Sequence, residues 1–149
     1  HTGIDFLFDY HIISNLHLCT QAQWVYTYNL ESGYNFPFIP PATGNIELEY
    51  NPKVKTKGIS IDLGLKMRWA APQVFVARNE LTTPGYALLD ARFSLEYRDK
   101  KHRAILSVSG NNLTNTVYFN HVNRWRYIGL PEPGVNFSVG ISYFLQGKL

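Results

Sequence analysis

"GISIDLGLKMRW", residues 58–69, puts an apolar side chain at every odd position: Ile59, Ile61, Leu63, Leu65, Met67 and Trp69. The even positions hold Ser60, Asp62, Gly64, Lys66 and Arg68. Successive side chains on an extended strand point to opposite faces, so this segment has one apolar side and one polar side. Coiled as a helix, the same residues would scatter their charges around the whole circumference. The segment is a strand.

The same alternation predicts seven strands, at 3–11, 16–28, 44–51, 58–69, 85–97, 103–118 and 135–145. Three connections are short (12–15, 52–57 and 98–102). Three are long and rich in turn formers or aromatics (29–43, 70–84 and 119–134). Short and long connections alternate strictly. The class is therefore all-β: an up-and-down antiparallel meander of about seven strands, with tight turns at one end and large loops at the other.

One figure, apolar-x-apolar-x-Tyr, recurs along the chain. It ends in Tyr10, Tyr50, Tyr97 and Tyr143. These close the apolar faces of strands one, three, five and seven at the tight-turn end. Strands two, four and six close theirs at the long-loop end with Trp24, Tyr26 and Tyr28, with Trp69, and with Tyr118. Aliphatics such as Leu63, Leu65, Leu106 and Val108 lie between, with Leu63 read as near the middle of the band. Tyr and Trp join an apolar ring to a hydrogen-bonding tip and collect at membrane–water boundaries. An apolar band between two aromatic girdles is what a transmembrane β-barrel shows to lipid.

Alternation does not say which face is inside. A soluble lipocalin-like barrel carrying a small apolar ligand would alternate too, with its apolar face inward. Its aromatics would be spread through the core rather than sorted to strand ends. The other face carries Asp62, Lys66, Arg68, Asp90 and Arg92 among Ser and Gly. Such a surface suits a wet lumen of paired charges and also suits the exterior of a soluble barrel. Both architectures stay open on this reading.

Hydrophobic residues make up 45% of 149 positions, which excludes wholesale disorder, and the net charge of +3 is only mildly basic. The basic clusters Lys53/Lys55/Lys57 and Arg98/Lys100/Lys101/Arg103 lie in or beside tight turns, so they read as solvated turns rather than a nucleic-acid surface. A single cysteine, Cys19, excludes an internal disulfide framework and a thiol-rich metal site. No apolar run approaches the roughly 20 residues of a transmembrane helix. The chain opens on "HTGIDFLFDY", already in a strand pattern, and reads as a portion of something longer.

Sites are sparse. None of His1, His11, His17, His102 or His121 stands at a metal-ligand spacing from another ligand residue, so no metal and no cofactor is expected. His121 falls in a long loop beside Arg124, Trp125 and Arg126, a group able to contact an anionic ligand; an ordinary hydrated loop is the competing reading. Asp62, Asp90 and Glu96 are expected to pair with Lys66, Arg68 and Arg92 along the sheet. With no nucleophile motif, phosphate loop or paired-carboxylate signature, no catalytic residue is expected and the chain is not read as an enzyme.

From residue 84 the chain reads "PGYALLDARFSLEY", then "NNLTNTVYFNH", then "LPEPGVNFSVGISYF", and earlier "FPFIPPATGNIELEY". In combination these stretches resemble the C-terminal barrel portion of a TonB-dependent outer-membrane receptor: a descending strand, an Asn-Leu motif where an ascending strand meets an external loop, a closing strand, and a Pro-rich strand entry. The resemblance covers nearly all of 1–149. It implies one incomplete barrel segment, whose plug and earlier strands lie elsewhere, and a place in the bacterial outer membrane. It implies TonB-dependent uptake of a scarce nutrient, such as iron-siderophore, haem or cobalamin. The partners it implies are outer-membrane lipid, the rest of the barrel with its plug, a TonB-type energy-coupling protein reached through the missing N-terminal part, and the barrel-assembly machinery. That machinery would read the last strand through Ser138, Gly140, Tyr143 and Leu145. Two departures are Val135 where the family usually has Arg, and a tail "LQGKL" after Phe144.

Overall fold

The structure is a computed structural model that describes residues 1–145. Seven strands run in chain order: β1 (Thr2–Ile13), β2 (Leu16–Tyr26), β3 (Thr43–Tyr50), β4 (Ile59–Ala70), β5 (Tyr86–Arg98), β6 (His102–Asn111) and β7 (Asn136–Leu145). Each pairs antiparallel with its sequence neighbour to give one sheet ordered β1 to β7. The meander, its tight turns and its long loops are as the sequence implies. The tail at 146–149 lies outside the described residues.

Two features differ from the sequence reading. The sixth strand stops at Asn111, short of the Tyr118 expected from the sequence. Asn112 and Asn115 both adopt left-handed backbone (φ 50°), which Asn tolerates because its side chain bonds locally. The Asn112 amide accepts from Thr116 N at 2.9 Å and donates to Thr116 O at 2.9 Å, so the chain turns instead of extending. Tyr118 thereby leaves the apolar belt, and its ring lies 4.4 Å from that of Tyr86, which points to the polar face. The second difference is a 3₁₀ turn, η1 (Arg124–Ile128), inside the last long loop. Asn123 caps it by accepting from Trp125 N, and Gly129 closes it at φ 73°.

The register fixes the faces. Leu63 is level with Tyr50 and Phe93, and Leu65 with Leu48 and Ala91, so the odd residues of β4 join one apolar face across three strands. Among the described residues that face has no layer against it: Ile4, Phe6, Phe8, Leu65, Val139 and Ile141 are all exposed. Among the described residues only Ala70 and Leu88 form a buried apolar core, far less than a free-standing soluble domain of this length buries. The large rings also cover backbone. Trp69 lies over Gly44, where a Cβ would come within 2.7 Å of the indole, and Phe137 lies over Gly110.

Candidate functional site

Two surfaces carry the chemistry of the chain: the polar face of the sheet and the cluster of long loops. On the polar face the expected charges meet in pairs. Lys66 Nζ is 3.1 Å from Glu47, and Arg68 donates to Asp90 at 3.0 Å. Arg92 reaches Glu49, Glu47 at 3.5 Å and Asp62 at 3.4 Å. Asp90 also accepts from Asn112 N at 2.8 Å, tying the ladder to the turn that ends β6. Glu96 goes elsewhere: it takes Arg103 at 2.9 Å and Arg98 at 2.9 Å, because the register of β5 and β6 places those guanidinium groups beside it. Apart from the buried Asp90, these groups are partly exposed, and each exposed pair contributes about 0–1 kcal/mol. Together they form a continuous charged strip across β3, β4 and β5.

At the tight-turn end of the same face lies a group that linear spacing hides. The β1–β2 hairpin sets His11 directly opposite His17, with ring centroids 4.6 Å apart, and Asp9 one pleat away. Ligand atoms of Asp9, His11 and His17 lie within 4.8 Å of one another. The signal for it was the hairpin register, which pairs residues 11 and 17 once the turn at Ser14 and Asn15 is fixed.

The loop residues do not converge on one open surface. His121 is only 2% exposed and Arg126 is also buried, whereas Trp125 is exposed and the Arg124 guanidinium lies 5.2 Å over the Phe38 ring. His121 Nδ1 is 3.0 Å from the Thr83 hydroxyl, and its Nε2 is 3.2 Å from Glu80. Burial and the nearby Arg126 charge push the His121 pKa below its ordinary value. Arg126 donates to Glu80 at 2.9 Å and to Leu81 O at 2.6 Å. Glu80 also accepts from Phe38 N and Ala77 N, each at 3.0 Å. One carboxylate thus joins all three long loops.

The aromatic residues follow a diagonal. Tyr10, Leu18, Leu48, Leu65, Ala91, Gly110 and Phe137 occupy one rung of the sheet. Toward the tight turns, Tyr50 lies two residues past that rung, and Tyr97 and Tyr143 lie six past it. On the loop side, Trp24 is six residues away, Trp69 four, and Phe137 is on the rung itself. Both aromatic rows therefore drift the same way, by about one residue per strand. With about 3.3 Å of rise and 4.8 Å between strands, that drift levels both rows if the strands tilt by about 35°, as barrel strands do.

No family model matches the chain, and no curated protein sequence matches it. Among solved structures it is similar to the copper transporter OprC, with a TM-score of 0.76 and 21% identity over 93% of this chain. The chain spans 22% of that transporter's length. The likeness is one of fold.

Proposed function

We propose that this chain is part of the barrel wall of a TonB-dependent outer-membrane receptor, with its apolar face on lipid and its charged face lining the lumen. The observation that carries the reading is the pair of parallel aromatic rows. Allowing for tilt, the rows stand about 20 Å apart along the barrel axis, close to the apolar band of roughly 25 Å that outer-membrane barrels present. Tyr10, Tyr50, Tyr97 and Tyr143 anchor the tight-turn rim; Trp24 and Trp69 anchor the loop rim. Asp62, Lys66, Arg68, Asp90 and Arg92 then face water inside the barrel. The fold shared with a stretch of a transporter and the sequence motifs of the last third support the same assignment.

In the whole protein the external loops capture a scarce nutrient such as a ferric siderophore, haem or cobalamin. An energy-coupling protein moves the plug to admit it. Arg124 and Trp125 are the loop residues free to touch an anionic ligand; His121 and Arg126 hold the loops that present them. Carriage of a small apolar ligand in a soluble barrel is the competing reading. It needs a closed sheet with its apolar face inside, and among the described residues β1 pairs only with β2 and β7 only with β6. Cell fractionation tests the proposal. The protein carrying this chain should sediment with outer membranes and migrate faster on gels when unheated. Recovery as a soluble, cooperatively melting periplasmic monomer would favour the carrier.

A further inference from the structure

We propose that Asp9, His11 and His17 form a binding site for a divalent transition-metal ion on the polar face, close to the tight turn between β1 and β2. Three observations converge on it. The donors come from one short hairpin: His11 and His17 are paired across the ladder, and Asp9 precedes His11 by two residues on the same face. Their ligand atoms lie within 4.8 Å of one another. Tetrahedral ligands at about 2.1 Å from a metal stand about 3.4 Å apart, a contraction that rotation of three surface side chains supplies.

The second observation is the partner behind His17. Its Nε2 is 2.8 Å from Asp9 Oδ1, on the side where an ion would sit, and its Nδ1 is 3.6 Å from Glu49 Oε2. A metal-bound histidine usually directs its other ring N–H to a carboxylate, which fixes the tautomer and raises donor strength. Glu49 is itself held, because its other oxygen accepts from Arg92. The third is accessibility: Asp9 and His11 are exposed, which leaves water or an incoming ligand the remaining coordination positions.

Two imidazoles and one carboxylate suit Cu(II), Ni(II) or Zn(II) and disfavour Mg(II) and Ca(II), which prefer oxygen donors throughout. Cys19 lies on the same face directly opposite Asp9, so binding is best measured in a Cys19→Ser background, free of thiol chemistry. The test is titration of copper(II) chloride into the purified, detergent-solubilised protein, with electron paramagnetic resonance reading the nitrogen couplings. One Cu(II) per chain coupled to two imidazole nitrogens is expected. His11→Gln and His17→Gln should each weaken binding at least tenfold, Glu49→Gln about tenfold, and His102→Gln not at all. Each variant should keep heat-modifiable mobility, which shows that the barrel is intact. Copper affinity unchanged in His11→Gln, or lost equally in His102→Gln, would overturn the site. Either result leaves the location of the protein in the outer membrane untouched.

Discussion

The Arg92 side chain lies across Gly64 to reach Glu49, so one guanidinium on β5 spans β4 and closes on β3. A Cβ at Gly64 would come within 2.6 Å of Arg92 Cγ, and the bare backbone at that position opens the path. Gly64→Ala should therefore act by displacing Arg92. In a double-mutant cycle of urea unfolding in micelles, Gly64→Ala and Glu49→Gln should each cost about 1 kcal/mol and together little more than one alone. Full additivity would mean that the two residues are uncoupled.

With the apolar face on lipid, as proposed, depth follows from the aromatic rows. The tight-turn row crosses β4 near Ile61 and the loop row crosses it at Trp69, which places Leu65, rather than Leu63, nearest the midplane. Leu65→Arg should cost about 2–4 kcal/mol of folding free energy, and Leu63→Arg less. Ser94→Arg lies at a similar depth on the polar face and should cost under about 1 kcal/mol. Comparable losses for Leu65→Arg and Ser94→Arg would contradict the facing.

The loop cluster should respond to acid. His121 has its pKa lowered in the folded protein, so the unfolded loop binds the proton more readily. The stabilisation is complete above about pH 6.5, the ordinary histidine value, and is lost as pH falls through the lower folded value. Hydrogen-exchange protection of residues 119–134, taken relative to the intrinsic exchange rate at each pH, should be weaker at pH 5 than at pH 7.5 while β4 and β5 stay protected. His121→Gln should remove that dependence. Glu80→Gln should expose all three loops at both pH values, because it leaves the Arg126 charge buried without its partner. Equal protection of the wild-type loop at both pH values would deny the histidine this role.

Tyr143 and Tyr50 both belong to the tight-turn row, yet Tyr143 also stands in the last strand, and its hydroxyl is 2.6 Å from His102 Nδ1. If the last strand carries the assembly signal, Tyr143→Ala should lower the folded, heat-modifiable fraction well below that of Tyr50→Ala. Burial alone predicts parity, since each change removes a similar apolar area worth on the order of 2 kcal/mol. Equal yields would leave Tyr143 as an anchor only.

Much of this molecule could be read from period two alone, because one face of every strand must meet an apolar medium. Residues 58–69 gave their faces, and Tyr10, Tyr50, Tyr97 and Tyr143 gave the polarity of the hairpins. The over-long sixth strand shows where periodicity fails: Tyr118 stands in phase with Leu106 and Val108, but Asn112 has already turned the chain through side-chain bonds that no period records. The burial of His121 and Arg126 was illegible for another reason. It depends on Glu80 gathering three loops far apart in sequence. Asp9, His11 and His17 needed the register of one hairpin, a short step that counting along the chain does not take.

The central claim is the orientation of the two faces, and site-directed spin labelling along β4 tests it most directly. Single cysteines at positions 60–67 in the Cys19→Ser protein, labelled in liposomes, report collisions with oxygen from lipid and with a water-soluble nickel chelate. Labels at 61, 63, 65 and 67 should favour oxygen, most strongly at 65, and labels at 60, 62, 64 and 66 should favour the chelate. A reversed phase, or odd positions shielded from both reagents as in a soluble barrel core, would contradict the account.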